Sequence, residues 1–343
     1  MTARRRSWWL IGVLAASHGV ILFAGFFAPY DPITQSRTFS FAPPNRLHFV
    51  DADGHLHVRP FLYEWKSDSA ELGSYEEDTR RALPLRFLVR GTPYKIAGAI
   101  PSRWHLFGVP DPGRVFLLGT DRFGRDQLSR LLYGGQISIL AGLLATSFSL
   151  GIGMLAGCVA GLSGRWADRV LMAGAELFLA LPWLYLLLGV RAMLPLHLEP
   201  TQAFLLVAGV IGLIGWAKPA RLVRGIVLSA KERNYVIAAR GFGASAPYLL
   251  RRHILPQTYG VLLTQATLLL PQYILAEVTL SFLGIGIAEP VPSWGNMLGT
   301  LQEYNVVILY WWMFAPVLVL FPLFLGYFGL ANTLQKRTQT FTT

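Results

Sequence analysis

The chain has 343 residues, 53% of them hydrophobic and only 14% charged, and its mean hydropathy is +0.44. Because a soluble domain carries about 25% charged residues, this composition excludes an ordinary soluble protein and indicates an exterior that largely faces lipid. The single cysteine, Cys158, excludes an internal disulfide framework and a cysteine-based metal cluster. The net charge of +11 is compatible with nucleic-acid binding or with a membrane surface, and the distribution of the charges decides between them.

Six segments are predicted to span a membrane, because each holds roughly 20 mostly apolar residues. They are residues 8–28, 137–162, 170–194, 201–217, 261–283 and 306–330. Arg4, Arg5 and Arg6 precede the first segment, as basic residues do in a secretory signal, but no small-x-small cleavage site follows it. We therefore expect an uncleaved first helix, and six spans place both termini on the same side of the membrane.

Positive charge concentrates between the fourth and fifth predicted spans. Residues 218–256 hold eight lysines and arginines against one acid, Glu232, whereas residues 29–134 hold 14 basic and 12 acidic residues. By the positive-inside rule, the basic loop and both termini are predicted to be cytoplasmic and residues 29–134 to lie outside. The charge surplus is therefore a topology signal of a multi-pass protein in the inner (cytoplasmic) membrane, and no nucleic-acid partner is expected.

The sequence divides into four predicted parts: an N-terminal tail with the first span (1–28), an extracytoplasmic insert with an interfacial segment (29–134), a five-span core (135–330) and a cytoplasmic tail (331–343). The insert is expected to form a small β-rich module. Residues 47–58 predict a hairpin in which Gly54 supplies a positive φ, and residues 85–96 predict a second hairpin. Residues 66–81, which are polar, are predicted to form a loop or a short helix.

The sequence lacks the common motifs of catalysis and nucleotide binding. None of its five lysines follows a glycine, so it has no P-loop for nucleotide phosphates, and it has no H-E-x-x-H, C-x-x-C or G-x-S-x-G motif. His55 and His57 alternate in a predicted strand and share one face, but two histidines without a third ligand are more often exposed strand residues than metal ligands. We expect no catalytic residue, metal or cofactor in this chain.

The basic loop at residues 232–256 is predicted to form two short helices. Gly241 and Gly243 interrupt the first helix, Ser245 caps the second, and Pro256 is expected to end it where the next span begins. Two short helices at an angle, with alanines at their contact, would project from the membrane and fit the cleft of a partner. The alternative is an ordinary amphipathic surface loop.

The spacing within this loop resembles the EAA loop of ABC importer permeases, in which E-A-A is followed by three residues and G, and then by nine residues and I-x-L-P. The two alanines, the glycine and the closing Leu-Pro match, whereas Ile237 replaces the usual glutamate and His253 replaces the usual isoleucine. The R-H-I-L-P ending is similar to the dipeptide/oligopeptide/nickel branch. The resemblance assigns ATPase coupling to Tyr235, Ala238, Ala239, Gly241, Gly243, Ala244, Ser245, Arg252, His253, Leu255 and Pro256.

Three further stretches resemble signatures of the same branch, and together the matches cover about residues 115–330. Residues 119–134 are similar to G-T-D-x-x-G-R-D-x-x-S-R-x-x-Y-G, residues 281–298 to S-F-L-G-x-G…P-x-W-G-x-M-L, and residues 168–182 to the third span. The signature residues are Gly119, Thr120, Asp121, Gly124, Arg125, Asp126, Gly284, Gly286, Trp294 and Gly295. The end of the chain lacks the usual G-D-x-L-R-D, and the insert is longer than this branch leads us to expect.

The resemblance implies an all-α polytopic protein with six transmembrane helices, the type I ABC importer permease (MetI-like) fold, carrying a small β-rich extracytoplasmic insert. It further implies a transport subunit that moves solute by alternating access and is not itself an enzyme. The implied partners are a second homologous permease, two cytoplasmic ATPases that use ATP and Mg, an extracytoplasmic solute-binding protein and the lipid bilayer. Peptides are the expected substrate, and nickel or another small solute of the branch is the alternative.

Several interpretations stay open on the sequence alone. Glu176 and Glu277 fall at membrane depth, where a carboxylate faces a pathway or another subunit, or lies at a helix end bonded to backbone. Residues 119–126 are interpreted as a turn that Asp121 caps and Gly124 bends, and the arginines beside it could contact lipid headgroups. A secondary transporter would show two repeated halves, and a membrane-anchored sensor would need a signalling domain; neither feature is visible in the sequence.

Overall fold

The computed structural model describes residues 3–67, 75–96, 98–193, 195 and 199–340. The chain divides into two compact units: unit 1 comprises Met1–Val13, Ile139–Leu280 and Phe324–Thr343, and unit 2 comprises Leu14–Ser138 and Ser281–Leu323. The helices described are α1 (Ala3–Leu22), α2 (Ala24–Phe27), α3 (Gln127–Leu162), α4 (Arg165–Ala180), α5 (Trp183–Ala192), α6 (Pro200–Gly215), α7 (Ala217–Lys231), α8 (Asn234–Gly241), α9 (Ala246–Leu249), α10 (Leu255–Phe282), α11 (Trp294–Gly299), α12 (Tyr304–Leu309) and α13 (Ala315–Thr340).

The β-rich region lies in unit 2 and consists of two antiparallel sheets. The strands are β1 (His48–Val50), β2 (Leu56–Ser67) and β3 (Tyr75–Pro84) in the first sheet, and β4 (Arg86–Ile96) and β5 (Ile100–Gly108) in the second. The predicted β1–β2 hairpin is confirmed: Val50 pairs with Leu56, and Gly54 has a φ of +85°. A buried apolar cluster that includes Leu62, Leu85 and Phe107 gives this region its core.

Two predictions within the insert were wrong. Residues 85–96 form the single strand β4, paired with β5, and not a hairpin of their own. The Pro93 that suggested a turn lies where the register shifts between Arg90 and Tyr94, and a strand at the edge of a sheet tolerates proline at such an irregularity. Of residues 66–81, predicted as loop or helix, the described parts belong to β2 and β3; residues 68–74 lie outside the described residues.

Three to five helical segments can cross a membrane, where the sequence predicted six. Among the described residues, Gln127–Leu162, Ala246–Phe282 and Trp311–Gln335 are each long and apolar enough. Two bent pairs raise the number to five: α4 with α5, bent by 97°, and α6 with α7, bent by 44°. The apolar stretch Trp8–Leu22 of α1 is shorter than the roughly 20 residues that a span needs.

The bounds of several predicted spans also differ from the structure. The segment predicted at 170–194 breaks between α4 and α5, because Pro182 lacks an N–H and Leu181 before it is extended, with φ −78° and ψ 137°. The segment predicted at 306–330 starts later: its first residues form α12 and a short 3₁₀ turn, Trp311–Phe314, which leads into α13. Helix α3 begins at Gln127, ten residues before the predicted start.

Candidate functional site

The first helix of the loop at 232–256, α8, ends in a left-handed residue. Gly243 has a φ of +86°, and this conformation lets the N–H groups of Phe242, Gly243 and Ala244 donate to the carbonyls of Ala238, Arg240 and Ala239 at 3.0 Å each. Such a closing turn satisfies the last carbonyls of a helix and requires positive φ, for which glycine is best suited. The glycine of the EAA-like pattern is therefore the residue that redirects the chain towards α9.

The sequence predicted that the second helix of the loop ends at Pro256, but in the structure the helical segment continues through Pro256. Ser245 is the N-cap residue of α9, although its side chain makes no capping hydrogen bond, and α9 leads through a π-helical turn, Leu250–Ile254, into α10. Pro256 is the second residue of α10 and lacks an N–H. The wider π turn carries the chain past the missing donor, so that loop and span form one continuous helical segment.

Aromatic rings hold α8 against the π turn. The His253 ring lies 5.7 Å from the Tyr235 ring and 5.8 Å from the Tyr248 ring, measured between centroids. The Gln257 side chain donates to the Tyr235 hydroxyl and, at 2.8 Å, to the His253 carbonyl. His253, one of the two departures from the EAA-like pattern, thus takes a packing role between two tyrosines.

The loop buries a few anchors and exposes an apolar tip. Ile254 is buried in a cluster with Val223 and Val227 of α7. The loop tip, which we define as Ile237, Phe242 and Tyr248, is exposed, and Phe242 is 93% exposed. Aromatic and aliphatic side chains held outward on short, fixed helices suit insertion into the cleft of a partner protein. The small Ala238 beside them is also exposed and leaves room for close approach.

The helix that leads into the loop, α7, is tied to its neighbours by two polar contacts. The Arg224 guanidinium donates from both Nε and Nη2 to the two carboxylate oxygens of Asp168 on α4, the Nη2 bond measuring 2.6 Å. The Lys231 ammonium donates to the Gly161 carbonyl near the end of α3 at 2.7 Å. No local pattern in the sequence links Arg224 to Asp168, which lies 56 positions earlier, so this contact was not predicted.

A stripe of glycines on α3 faces α7. We define the glycine stripe as Gly153, Gly157 and Gly161, which are spaced four residues apart and so lie on one face of α3. A methyl group at Gly157 would lie 2.6 Å from the Ala220 carbonyl oxygen, and one at Gly161 would lie 2.6 Å from Val227 Cγ1. Small residues at this spacing let two membrane helices approach closely, and the i, i+4, i+8 pattern of glycines is visible in the sequence.

The break between α4 and α5 borders a cavity of about 370 Å³ in unit 1. Its walls are mostly apolar, with Phe178 and Trp183 near the break and the polar groups of Lys218, Gln272 and Tyr273. The Tyr273 hydroxyl forms a hydrogen bond with the Ser149 hydroxyl at 2.9 Å. Irregular backbone at membrane depth is tolerated where it is buried in protein or lines a cavity, and the position of this cavity fits that rule.

The two membrane-depth glutamates fall in different environments. Glu277 on α10 is 0% exposed, whereas Glu176 on α4 is exposed. Glu277 is therefore enclosed by this chain, and whether it serves a pathway or another subunit, or is a helix residue bonded to backbone, stays a prediction. Glu176 remains compatible with a pathway or inter-subunit role.

A buried ionic cluster joins two of the signature stretches in unit 2. The Asp121 carboxylate accepts from Arg125 Nε at 2.6 Å, and Glu289 accepts from Arg125 Nη1 at 2.6 Å and from Arg130 Nη2 at 2.8 Å. The side chains of Arg125 and Arg130 are 3% and 2% exposed, whereas Glu289 is 43% exposed. The idea that these two arginines contact lipid headgroups was therefore wrong; buried guanidinium groups require carboxylate partners. Glu289 was not anticipated.

The turn before α3 is built around the same aspartate. Asp121 Oδ1 accepts from the backbone N–H groups of Phe123 at 2.9 Å and Arg125 at 3.0 Å. Gly124 has a φ of +67°, and a methyl group there would overlap the Ser36 carbonyl oxygen. Asp126 accepts from the Ser129 hydroxyl at 2.6 Å, and burial raises the pKa of its carboxyl to about 6.

The remaining signature residues pack around two tryptophans. The Trp312 indole donates to the Thr120 carbonyl at 3.0 Å, and a methyl group at Gly119 would lie 2.9 Å from that indole nitrogen. The buried Trp294 donates from its indole to the Leu131 carbonyl at 2.9 Å. Two glycines, Gly284 with a φ of +76° and Gly286 against Ser281, shape the turn after α10, and Gly295 is buried beside Trp294.

These elements match a known family. The family described as "Binding-protein-dependent transport system inner membrane component" matches residues 153–340, which is more than half of the chain. The chain belongs to this family and is a multi-pass transport component of the inner membrane, in a system that implies ATPase and binding-protein partners. The match includes α7, the loop at 232–256 and α10.

Among its relatives, a protein of Brucella suis biovar 1 (strain 1330), described as a candidate peptide permease, is 37% identical over 214 residues, which are 62% of this chain and 69% of the relative. The dipeptide transport system permease protein of Bacillus subtilis (strain 168) is 36% identical over 206 residues, which are 60% of this chain and 62% of the relative. The family match at residues 153–340 does not include the β-rich insert.

Solved structures give weaker likenesses. A crystal structure of an amino acid ABC transporter with histidines is 16% identical, with a TM-score of 0.45 over 61% of this chain and 94% of that chain. An inward-facing methionine ABC transporter, MetNI, is 18% identical, with a TM-score of 0.43 over 60% of this chain and 95% of that chain. These scores are too low to establish a shared fold.

Proposed function

We propose that this chain is the permease subunit of an ATP-driven ABC importer that moves peptides of the dipeptide/oligopeptide class inward across the cytoplasmic membrane. The observation that carries the proposal is the loop at 232–256: two short helices turned by Gly243 present an exposed apolar tip and continue directly into a spanning helix. The names of the Brucella and Bacillus relatives support peptides as the substrate.

In this proposal the working assembly contains a second homologous permease, two cytoplasmic ATPases that bind ATP and Mg, and an extracytoplasmic binding protein. The four-part division of the chain and the type I (MetI-like) fold with six spans belong to the same proposal. The short apolar helix α1 would supply the sixth span, and both termini would be cytoplasmic. The basic charge of the 218–256 region supports this orientation.

In this proposal, the contacts around α7 transmit movement of the loop to the helices that line the transport path. Closure of the ATPase dimer would move the loop tips, and α7 would pass the displacement to α4 through the Arg224–Asp168 pair. Helix α4 ends at the break beside the 370 Å³ cavity, and Glu176 on its exposed face is the proposed pathway or inter-subunit group. Transmission of this movement requires that the contacts between the loop and the ATPases differ between the inward-facing and outward-facing states.

A charged substitution in the loop tests the coupling role. In proteoliposomes that contain the complete importer, Gly243→Glu should abolish peptide uptake while ATP hydrolysis continues, because strain and charge at the turn weaken docking. Gly164→Glu is the matched control: Gly164 also has open space around it and lies on the same predicted face of the membrane, outside the loop. Uptake that is unchanged in Gly243→Glu contradicts the coupling role.

The substrate class has its own test. Uptake of a labelled dipeptide should require ATP, and unlabelled di- and oligopeptides should compete with it, whereas Ni²⁺ should not. Nickel uptake without peptide competition would favour the metal-transporting alternative within the branch. Uptake driven by an ion gradient in the absence of the ATPases would instead identify a secondary transporter.

A further inference from the structure

The β1–β2 hairpin of the insert gathers two imidazoles and two carboxylates at its turn. Asp51, Asp53 and His55 each place a ligand atom within 4.8 Å of the other two. On the following strand, His57 Nε2 lies 2.9 Å from Asp51 Oδ2, and His55 Nδ1 lies 3.4 Å from the same oxygen. The sequence offered two histidines without a third ligand; folding of the hairpin brings Asp51 and Asp53 to them.

The spacing of these atoms suits a metal ion. Neighbouring ligand atoms of a tetrahedral zinc ion lie about 3.4 Å apart, since each bond to nitrogen or oxygen measures roughly 2.1 Å. The 3.4 Å between His55 Nδ1 and Asp51 Oδ2 matches this edge length. The 2.9 Å between His57 Nε2 and Asp51 Oδ2 is a hydrogen bond, whose proton a bound metal ion would replace. The side chain of His55 is 76% exposed and that of His57 is 49% exposed, so a metal ion can reach both imidazoles from solvent.

The turn fixes the central ligand in advance. Asp51 Oδ1 accepts from the backbone N–H groups of Asp53 at 3.0 Å and His55 at 2.8 Å, which leaves Oδ2 directed towards the histidines. A surface cavity of about 600 Å³ lies against Asp51 and His57 and gives access to the site.

We propose that Asp51, Asp53 and His55, with His57 or water as the fourth ligand, form a binding site for a divalent transition-metal ion of the zinc class. Imidazole nitrogen together with carboxylate oxygen is a donor set that Zn²⁺ accepts, whereas Ca²⁺ and Mg²⁺ prefer oxygen ligands alone. The site lies in the insert, outside the part of the chain that the family match covers, and it does not depend on the proposed transport function.

Zinc titration of the purified full-length protein tests the site. Isothermal titration calorimetry should detect one equivalent of Zn²⁺ in the native protein that is lost in the double variant His55→Gln/His57→Gln, in which glutamine can keep hydrogen bonds but is a poor metal ligand. His48→Gln is the matched control, because His48 pairs with Glu77 at 3.1 Å on the same sheet, away from the turn. The control should keep the full stoichiometry.

A second measurement separates loss of ligands from loss of folding. Co²⁺ added to the native protein should produce the visible absorption of a tetrahedral site, which Zn²⁺ should displace. Asp51→Asn, which retains an oxygen for the turn, should lose this absorption while the far-UV circular dichroism stays unchanged. Equal Zn²⁺ binding by the native protein and the double variant, or loss of the same equivalent in His48→Gln, would overturn the proposal.

Discussion

At the scale of single residues, Gly243 shows how one backbone conformation shapes the loop. Its φ of +86° closes α8, and no atom lies within 4 Å of the position that a methyl group would occupy. Steric crowding therefore does not explain the glycine, and the conformational demand of the turn does. Gly241, two residues earlier, has the same open surroundings but lies within α8.

Substitutions of Gly243 and Gly241 test directly whether the loop requires a residue with positive φ at position 243. Gly243→Ala should cost about 1–2 kcal/mol at the turn, because L-residues disfavour the left-handed region, and should lower coupled transport. Gly241→Ala should lower transport less than Gly243→Ala does, since Gly241 lies within α8 and alanine is favoured in a helix. Gly243→Asn should restore most of the activity, because asparagine tolerates positive φ better than alanine. Equal uptake by Gly243→Ala and Gly241→Ala would show that the conformation is unimportant.

Asp126 makes stability depend on pH. The pKa of its carboxyl is raised to about 6 in the fold, against about 3.9 in an unfolded chain, so the folded state favours the protonated form. This contribution to stability is complete below about pH 4 and is lost as the pH rises through 6. The thermal unfolding midpoint should therefore fall between pH 4 and pH 7, and Asp126→Asn should flatten that dependence. Asp111→Asn, at an exposed aspartate nearby, should leave it unchanged.

At the scale of elements, the glycine stripe determines how closely α3 and α7 pack. Gly157 allows the Ala220 carbonyl and Val223 to come within 3 Å of where a methyl group would be. On the same helix, Gly151 has no atom within 4 Å of the equivalent position. The helix thus contains both a glycine required by packing and one that packing does not require.

Gly157→Val should force α3 and α7 apart and destabilise unit 1 by about 1–3 kcal/mol, the usual cost of overpacking. Gly151→Val should have little effect, because its surroundings are open. Thermal unfolding of the two variants in detergent, together with peptide uptake, measures the difference. A Gly157→Val protein as stable as Gly151→Val would mean that the close approach is not required.

The helices and strands differ in how far they could be predicted from the sequence. The β1–β2 hairpin was predictable because alternation on both sides of Gly54 is a local pattern, and most spans were predictable from apolar length. Strand β5 was missed because Gly91 and Pro93 suggested a turn inside β4, whereas β4 continues to Ile96 and pairs with β5 from Ile100 onwards. The roles of Arg224 and Glu289 were missed because their partners are distant in the sequence: Arg224 lies 56 positions after Asp168 and Glu289 lies 164 positions after Arg125.

At the scale of the whole molecule, the proposed function requires this chain to transmit work done by partner proteins. Helix α7 is the central element, because it carries the loop at one end and holds α4 through Arg224. The Arg224–Asp168 pair is partly exposed, with side-chain exposures of 32% and 26%. An ion pair of this kind contributes at most about 1 kcal/mol to stability.

Arg224→Gln should consequently leave the unfolding midpoint nearly unchanged and still reduce peptide uptake per ATP hydrolysed. The charge-swapped pair Arg224→Asp/Asp168→Arg should recover part of the lost coupling, whereas Arg224→Asp alone should not. Reconstituted vesicles allow uptake and hydrolysis to be measured together. If Arg224→Gln keeps the native ratio of uptake to hydrolysis, displacement of the loop reaches the spans by another route.

The exposed Phe242 has a consequence for how the cell handles this subunit. In the proposed importer, Phe242, which is 93% exposed, forms with Ile237 and Tyr248 an exposed apolar surface that a companion subunit would cover. Copies made in excess of their companions would be prone to self-association and to recognition by quality-control proteases. Synthesis of all the subunits in matching amounts would therefore protect this chain from the degradation that unassembled subunits undergo.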